Sequence, residues 1–142
     1  MSKIYFSLQE ANEMVYKIKD KIEKIEQLKD ELELLDNTKI EFEEEKVENY
    51  LLEIEINRNF HEKSLELYTV LGDLIKQGCI VRDFEDIEID FYSKLENKDI
   101  VFCWELGQEK IMHWHYPGED RKRKREIKEV EKKYFEKLRE FK

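Results

Sequence analysis

The chain is poor in the residues that punctuate or staple a fold. It has one proline, four glycines, two cysteines and a single alanine in 142 residues. Cys79 and Cys103 are too few and too widely spaced for a zinc motif or a disulfide framework. There is no glycine-rich phosphate loop, and Ser7, Ser64 and Ser93 have no neighbouring base in the sequence to make one of them a nucleophile. No apolar run approaches the length of a membrane span, and the N-terminus lacks a signal-peptide core. The expectation is a soluble protein of a reducing cytoplasm, without a membrane partner or a cofactor.

Charge, by contrast, is abundant. Charged residues make up 43% of the chain and hydrophobic ones 40%, which is too apolar for disorder and too charged for a wholly compact globule. Long solvated helices with narrow apolar seams reconcile the two figures. The net charge of −9 is unevenly spread. Residues 117–142 carry 11 Lys/Arg against 7 Asp/Glu, a net of +4, so residues 1–116 carry −13. An acidic body repels phosphate, leaving only the tail as a candidate for nucleic acid.

The N-terminal half reads as two helices. Ser7 and Glu10 form an S-x-x-E capping box, with Phe6 placed for a hydrophobic staple. From there Leu8, Ala11, Val15, Ile18, Ile22, Ile25, Leu28, Leu32 and Leu35 recur at heptad spacing, with one three-residue slip after Ile25. Asp36–Thr38 is a break, and Thr38 with Glu41 repeats the capping box. A second helix is expected to Gln77, closed by Gly78. Its seam runs through Ile40, Val47, Tyr50 or Leu51, Ile54, Leu65, Tyr68, Leu71 and Ile75, with polar Asn57 or Arg58 and His61 falling at core phase. Two long helices across a short break predict an antiparallel, coiled-coil-like hairpin over 7–77.

After Gly78 the apolar period changes from 3.6 to 2. The stretches "CIVRDFEDIEIDFY", "IVFCWEL" and "KIMHWHY" read as three strands over 79–116. A charged C-terminal helix follows over 117–142, with Asp120 as its N-cap and a stripe of Ile127, Val130, Tyr134, Leu138 and Phe141. The predicted class is therefore α+β: a helical hairpin, a small three-stranded antiparallel sheet, and a C-terminal helix. Residues 1–116 form one domain and 117–142 an extension.

Four motifs carry a resemblance: "FSLQEAN" (6–12), "GCIVRD" (78–83), "IDF" (89–91) and "VFCWELGQEKIMHWH" (101–115). In this order, with a long helical insert, they resemble the bacterial and archaeal family known as domain of unknown function 2203. The family pattern has a glycine before its V-D-F block, which "EDIEIDF" lacks, and the helix after Pro117 looks like an addition to it. The resemblance implies the fold and no activity.

The densest chemistry lies in "CWELGQEKIMHWHY". Gly107 at the first position of a two-residue loop predicts a type II′ hairpin with Leu106 opposite Glu109. That register pairs Cys103 with Met112 and Phe102 with His113. It puts Ile100, Phe102, Trp104, His113 and His115 on one face, and Cys103 and Trp114 on the other. Cys103 would then be barred from a shared site with either histidine. His113 and His115 remain a two-ligand metal candidate needing a third donor such as His61, Glu88 or Asp90. Trp104 and Trp114 read as packing. Both faces being apolar, one should pack on the helices and the other on the tail or a second copy, so a homodimer is expected. Arg121, Lys122, Arg123, Lys124 and Arg125, in the first turns of the tail helix, call for an anion, either the protein's own acids or nucleic-acid phosphate. The leading expectation is a non-enzymatic interaction and oligomerisation module. The alternatives are a nucleic-acid- or ribosome-associated protein and a metal-binding protein.

Overall fold

The computed structural model describes residues 3–37, 47–83, 85–119 and 124–140. The fold is α+β, and the chain divides into two compact units. One comprises residues 1–18 and 74–142, the other residues 19–73.

The first unit opens with α1 (Leu8–Lys17), whose capping box forms as predicted. Glu10 N–H donates to Ser7 Oγ at 3.1 Å, and Ser7 N–H donates to Glu10 Oε1 at 3.0 Å. Leu8, Ala11, Val15 and Ile18 are buried, so this part of the seam faces a core. The predicted continuous first helix is interrupted, however. Ile18 leaves helical geometry (φ −89°, ψ 0°) with no glycine or proline to announce the break.

The sheet has five antiparallel strands in chain order, not three. The first expected strand folds back on itself as β1 (Ile80–Asp83) and β2 (Glu88–Leu95). Between them the Asp83 carboxylate accepts from the N–H groups of Glu85 and Asp86, closing a local turn. β2 returns as β3 (Lys98–Glu105) through Glu96 and Asn97. Both of these have positive φ, 52° and 67°, as a type I′ turn requires. β4 (His113–His115) and the short β5 (Arg125–Glu126) complete the sheet. α4 (Lys128–Glu140) follows, so Arg125 is a strand residue and not part of the tail helix's first turn. Asp120 and Arg121–Arg123, with the N-cap predicted there, lie outside the described residues. Ile127 and Val130 of the expected stripe are buried.

Ile100 through Trp104 of β3 are all buried, so the central strand is covered on both faces. Phe6 stacks edge-on against Phe91, with ring centroids 5.3 Å apart. Gly78 ends the long second helix as predicted. Its φ is +93°, its N–H reaches Ile75 O, and Cys79 N–H reaches Leu74 O, the paired bonds of a Schellman cap. A Cβ on Gly78 would lie 2.9 Å from both Ile4 Cβ and Phe6 Cε2, so side-chain-free backbone is needed for spatial as well as conformational reasons.

The second unit holds α2 (Lys19–Asp36) and most of α3 (Val47–Lys76). Ile22, Ile25 and Leu28 of α2 are buried, with Leu67 of α3. Lys24 pairs with Glu66 at 2.9 Å, and Lys63 with Glu31 at 2.6 Å. The second capping box, Thr38 with Glu41, lies outside the described residues.

Apart from Leu71, the predicted seam of α3 is turned outward. Val47, Leu51, Ile54, Leu65 and Tyr68 are exposed, as are Asn57 and His61. The inward face instead carries Ile56, Phe60, Lys63, Leu67, Val70 and Leu71, which are buried or half-buried. The helix is apolar on two sides, and the heptad pattern picked the exposed one.

Candidate functional site

The polar residues of interest meet on one face of the sheet because of its register. The tight Glu96–Asn97 turn aligns β2 with β3 so that Asp90 is opposite Cys103. β4 then pairs Cys103 with His113, Phe102 with Trp114 and Val101 with His115. This is one residue away from the predicted register, and a one-residue slip carries side chains to the other face. Cys103 therefore shares a face with both histidines, and the geometric bar to a joint site is overturned. Trp104 and Trp114 move to a common face with Phe91 and Phe102.

The slip has identifiable causes in residues 106–112. Trp104 Nε1–H donates to Gln108 O at 2.9 Å, and the Gln108 side chain accepts from Glu105 N–H at 3.1 Å. Farther on, Ile111 N–H donates to Asn12 Oδ1 of α1 at 2.8 Å. These bonds hold a wide loop in place of a two-residue turn, and pairing resumes only at His113.

On that face Asp90, Cys103 and His115 converge. One ligand-type atom from each lies within 4.8 Å of the others, and the residues are only 0%, 2% and 3% exposed. Arg82, the extra residue of a bulge between Val81 and Asp83, donates from Nε to Asp90 Oδ2 at 2.9 Å. His115 Nδ1 lies 2.9 Å from Tyr116 O. A carbonyl only accepts, so Nδ1 carries a hydrogen, and in the neutral tautomer it is Nε2 that presents a lone pair. Nε2 lies 3.7 Å from Asp90 Oδ2 and makes no hydrogen bond with any described residue.

Behind this histidine stands a second layer. Tyr116, Pro117, Gly118 and Glu119 make a turn in which Glu119 N–H donates to Tyr116 O and Gly118 has φ +84°, the Pro-Gly arrangement of a type II turn. The Glu119 carboxylate accepts from Tyr116 N–H at 2.9 Å and from Arg125 at 2.7 Å. These bonds, that from Arg125 first, hold its carboxyl below the usual range. The Arg125 guanidinium also lies over the rings of Trp114 (5.1 Å) and Tyr116 (4.7 Å). Lys124 pairs with Glu105 at 2.8 Å. The described end of the basic run is thus engaged by the protein's own acids.

Of the candidate residues, Asp90, Cys103 and His115 come together, while Trp104 and Trp114 pack. His113 is half-buried and lines a small pocket with Met112, Glu126 and Ile127. His61 belongs to the other unit and stands exposed beside Phe60. Arg82, the partner of Asp90, was not singled out by sequence; its signal was a basic residue two positions after an apolar strand start. A separate groove of about 740 Å³ runs between α1 and α4, lined by Leu8, Tyr16, Tyr134 and Phe135 among others.

No helix among the described residues is long and apolar enough to cross a membrane. Neither a curated protein nor a solved structure matches the chain. A family model does match, over residues 4–127, a span that runs from the strand-like start before α1 through β5. The chain belongs to the family described as uncharacterized conserved protein (DUF2203).

Proposed function

We propose that the protein is a non-enzymatic interaction module that pairs with a second copy of itself through the outward face of α3, with α2 and α3 as the two arms of an antiparallel hairpin. The observation that carries this reading is the exposed stripe Val47, Leu51, Ile54, Leu65 and Tyr68. With Arg58 and His61 between them, these positions follow one another in steps of four and three residues, the 3.5-residue period of paired helices. Leu65 and Tyr68 are 67% and 70% exposed. Tyr50, 52% exposed, flanks the stripe and widens it.

A second copy is the occupant that such a stripe fits. A two-fold axis near His61 sets Ile54 of one copy against Tyr68 of the other, and the same contact recurs across the axis. Arg58 and His61 then form a polar layer at the centre, the kind of layer that selects register and partner number in coiled coils. The hairpin itself is supported by its ion pairs. Lys24 and Glu31 ascend α2 while their partners Glu66 and Lys63 descend α3. Cys79 and Cys103, both buried and neither in a disulfide, suit a reducing cytoplasm.

Sedimentation velocity tests the reading. The wild-type chain should sediment as a dimer, and Leu65→Glu with Tyr68→Glu should yield a monomer with an unchanged circular-dichroism spectrum. A wild-type monomer at high concentration refutes it.

A further inference from the structure

We infer that Asp90, Cys103 and His115 form a binding site for one zinc-class divalent cation. The donor set points to the chemistry. Thiolate, imidazole and carboxylate are the three ligand types that zinc takes from proteins, whereas a hard magnesium or calcium ion calls for oxygen throughout. Bond lengths of about 2.0–2.3 Å place tetrahedral ligand atoms roughly 3.3–3.8 Å apart. His115 Nε2 and Asp90 Oδ2 are already 3.7 Å apart, and all three ligand atoms lie within 4.8 Å of one another. Small side-chain rotations close the remainder.

A second, independent observation is the state of His115. Its ring is 3% exposed, and Nε2 is buried without a hydrogen bond among the described residues. Buried polar atoms are as a rule taken by protein, water or a bound ion, and no described protein group takes this one. The other ring nitrogen is held by the Tyr116 carbonyl, the outer-shell contact that commonly fixes a metal-binding histidine's tautomer. Arg82 supplies the matching outer contact to the carboxylate. On binding, the Cys103 thiol releases its proton to solvent. The resulting thiolate and the Asp90 carboxylate then neutralise the dication, and Arg82 retains its bond to Asp90. Three protein ligands leave a fourth coordination position for water or an external ligand.

The test uses the full chain, expressed without a histidine tag, reduced, stripped with chelator and titrated with cobalt(II) and zinc(II) alone. The wild-type protein should take up one equivalent of cobalt with a thiolate-to-metal charge-transfer band, and zinc should displace it. Cys103→Ser and His115→Gln should lose the band and bind at least ~100-fold more weakly, beyond what outer-shell changes cost. Cys79→Ala and His113→Gln should bind as wild type. Since a substitution at a buried site can prevent folding, X-ray absorption on the wild-type zinc complex is the companion measurement. One sulfur in the first shell supports the site; a shell without sulfur overturns it. So does a wild-type protein without the band, or a band that survives Cys103→Ser.

Discussion

β3 and α3 are both apolar on two sides, and the molecule treats them differently. In the sheet unit, Ile100 through Trp104 are buried without exception, so both faces of the strand are used internally. In the helical unit, α3 buries Leu67 and leaves Leu65 and Tyr68 in solvent. Two-sided apolarity in the strand therefore reports a core, and in the helix an unpaired surface. The apolar face left for a second copy is accordingly on α3 and not on β3, whose two faces are already covered.

Substitutions on the two elements should separate these cases. Phe102→Ala, in the middle of the covered strand, should cost about 4 kcal/mol, read by urea denaturation with tryptophan fluorescence, since both tryptophans sit in the sheet unit. Val101→Ala, on the opposite face of β3, should cost about 2 kcal/mol; a value near zero would mean that this face is not packed. Gly78→Ala is expected to cost about 2 kcal/mol, combining the left-handed φ with the approach of Ile4 and Phe6. Ser7→Ala should cost about 1 kcal/mol through the lost cap of α1. On the exposed face of α3, Leu65→Ala should change the unfolding free energy of the dilute chain by less than ~0.5 kcal/mol.

Acid offers a finer test of the α1 cap. The backbone N–H of Ser7, and then its side chain, hold the Glu10 carboxyl below its ordinary value. A folded-state pKa below the unfolded one contributes stability that is present above the unfolded value and lost as pH falls through the folded one. Glu10→Gln should therefore be less stable than wild type at neutral pH, and the gap should close on acidification below the carboxylate range. A gap that stays constant with pH would show that charge plays no part in the cap.

What the sequence disclosed follows from how strongly each feature is specified locally. The Ser7–Glu10 cap and the Gly78 stop depend on a few adjacent residues, and both form as expected. The change from helical to strand period at Cys79 was equally plain. The hairpin register was not, because a strand apolar on both faces is satisfied by either alignment. The deciding contacts came from Trp104, Gln108 and the distant Asn12, which no local pattern connects. For the same reason Cys103, His115 and Asp90 were legible as candidates while their meeting was not. On α3 the heptad rule found a real stripe but could not say which of two apolar faces would be left exposed.

The loop at residues 106–112 has a consequence for how the protein can vary. A two-residue hairpin loop cannot gain a residue without turning its return strand over. Here the return strand is anchored beyond the loop by its own pairing with β3 and β5, and Glu109 and Lys110 at the tip are exposed. Insertions at that tip can be absorbed at little entropic cost, since loop closure grows only logarithmically with length. The site face of the sheet is thereby insulated from changes in the length of the connection that leads to it.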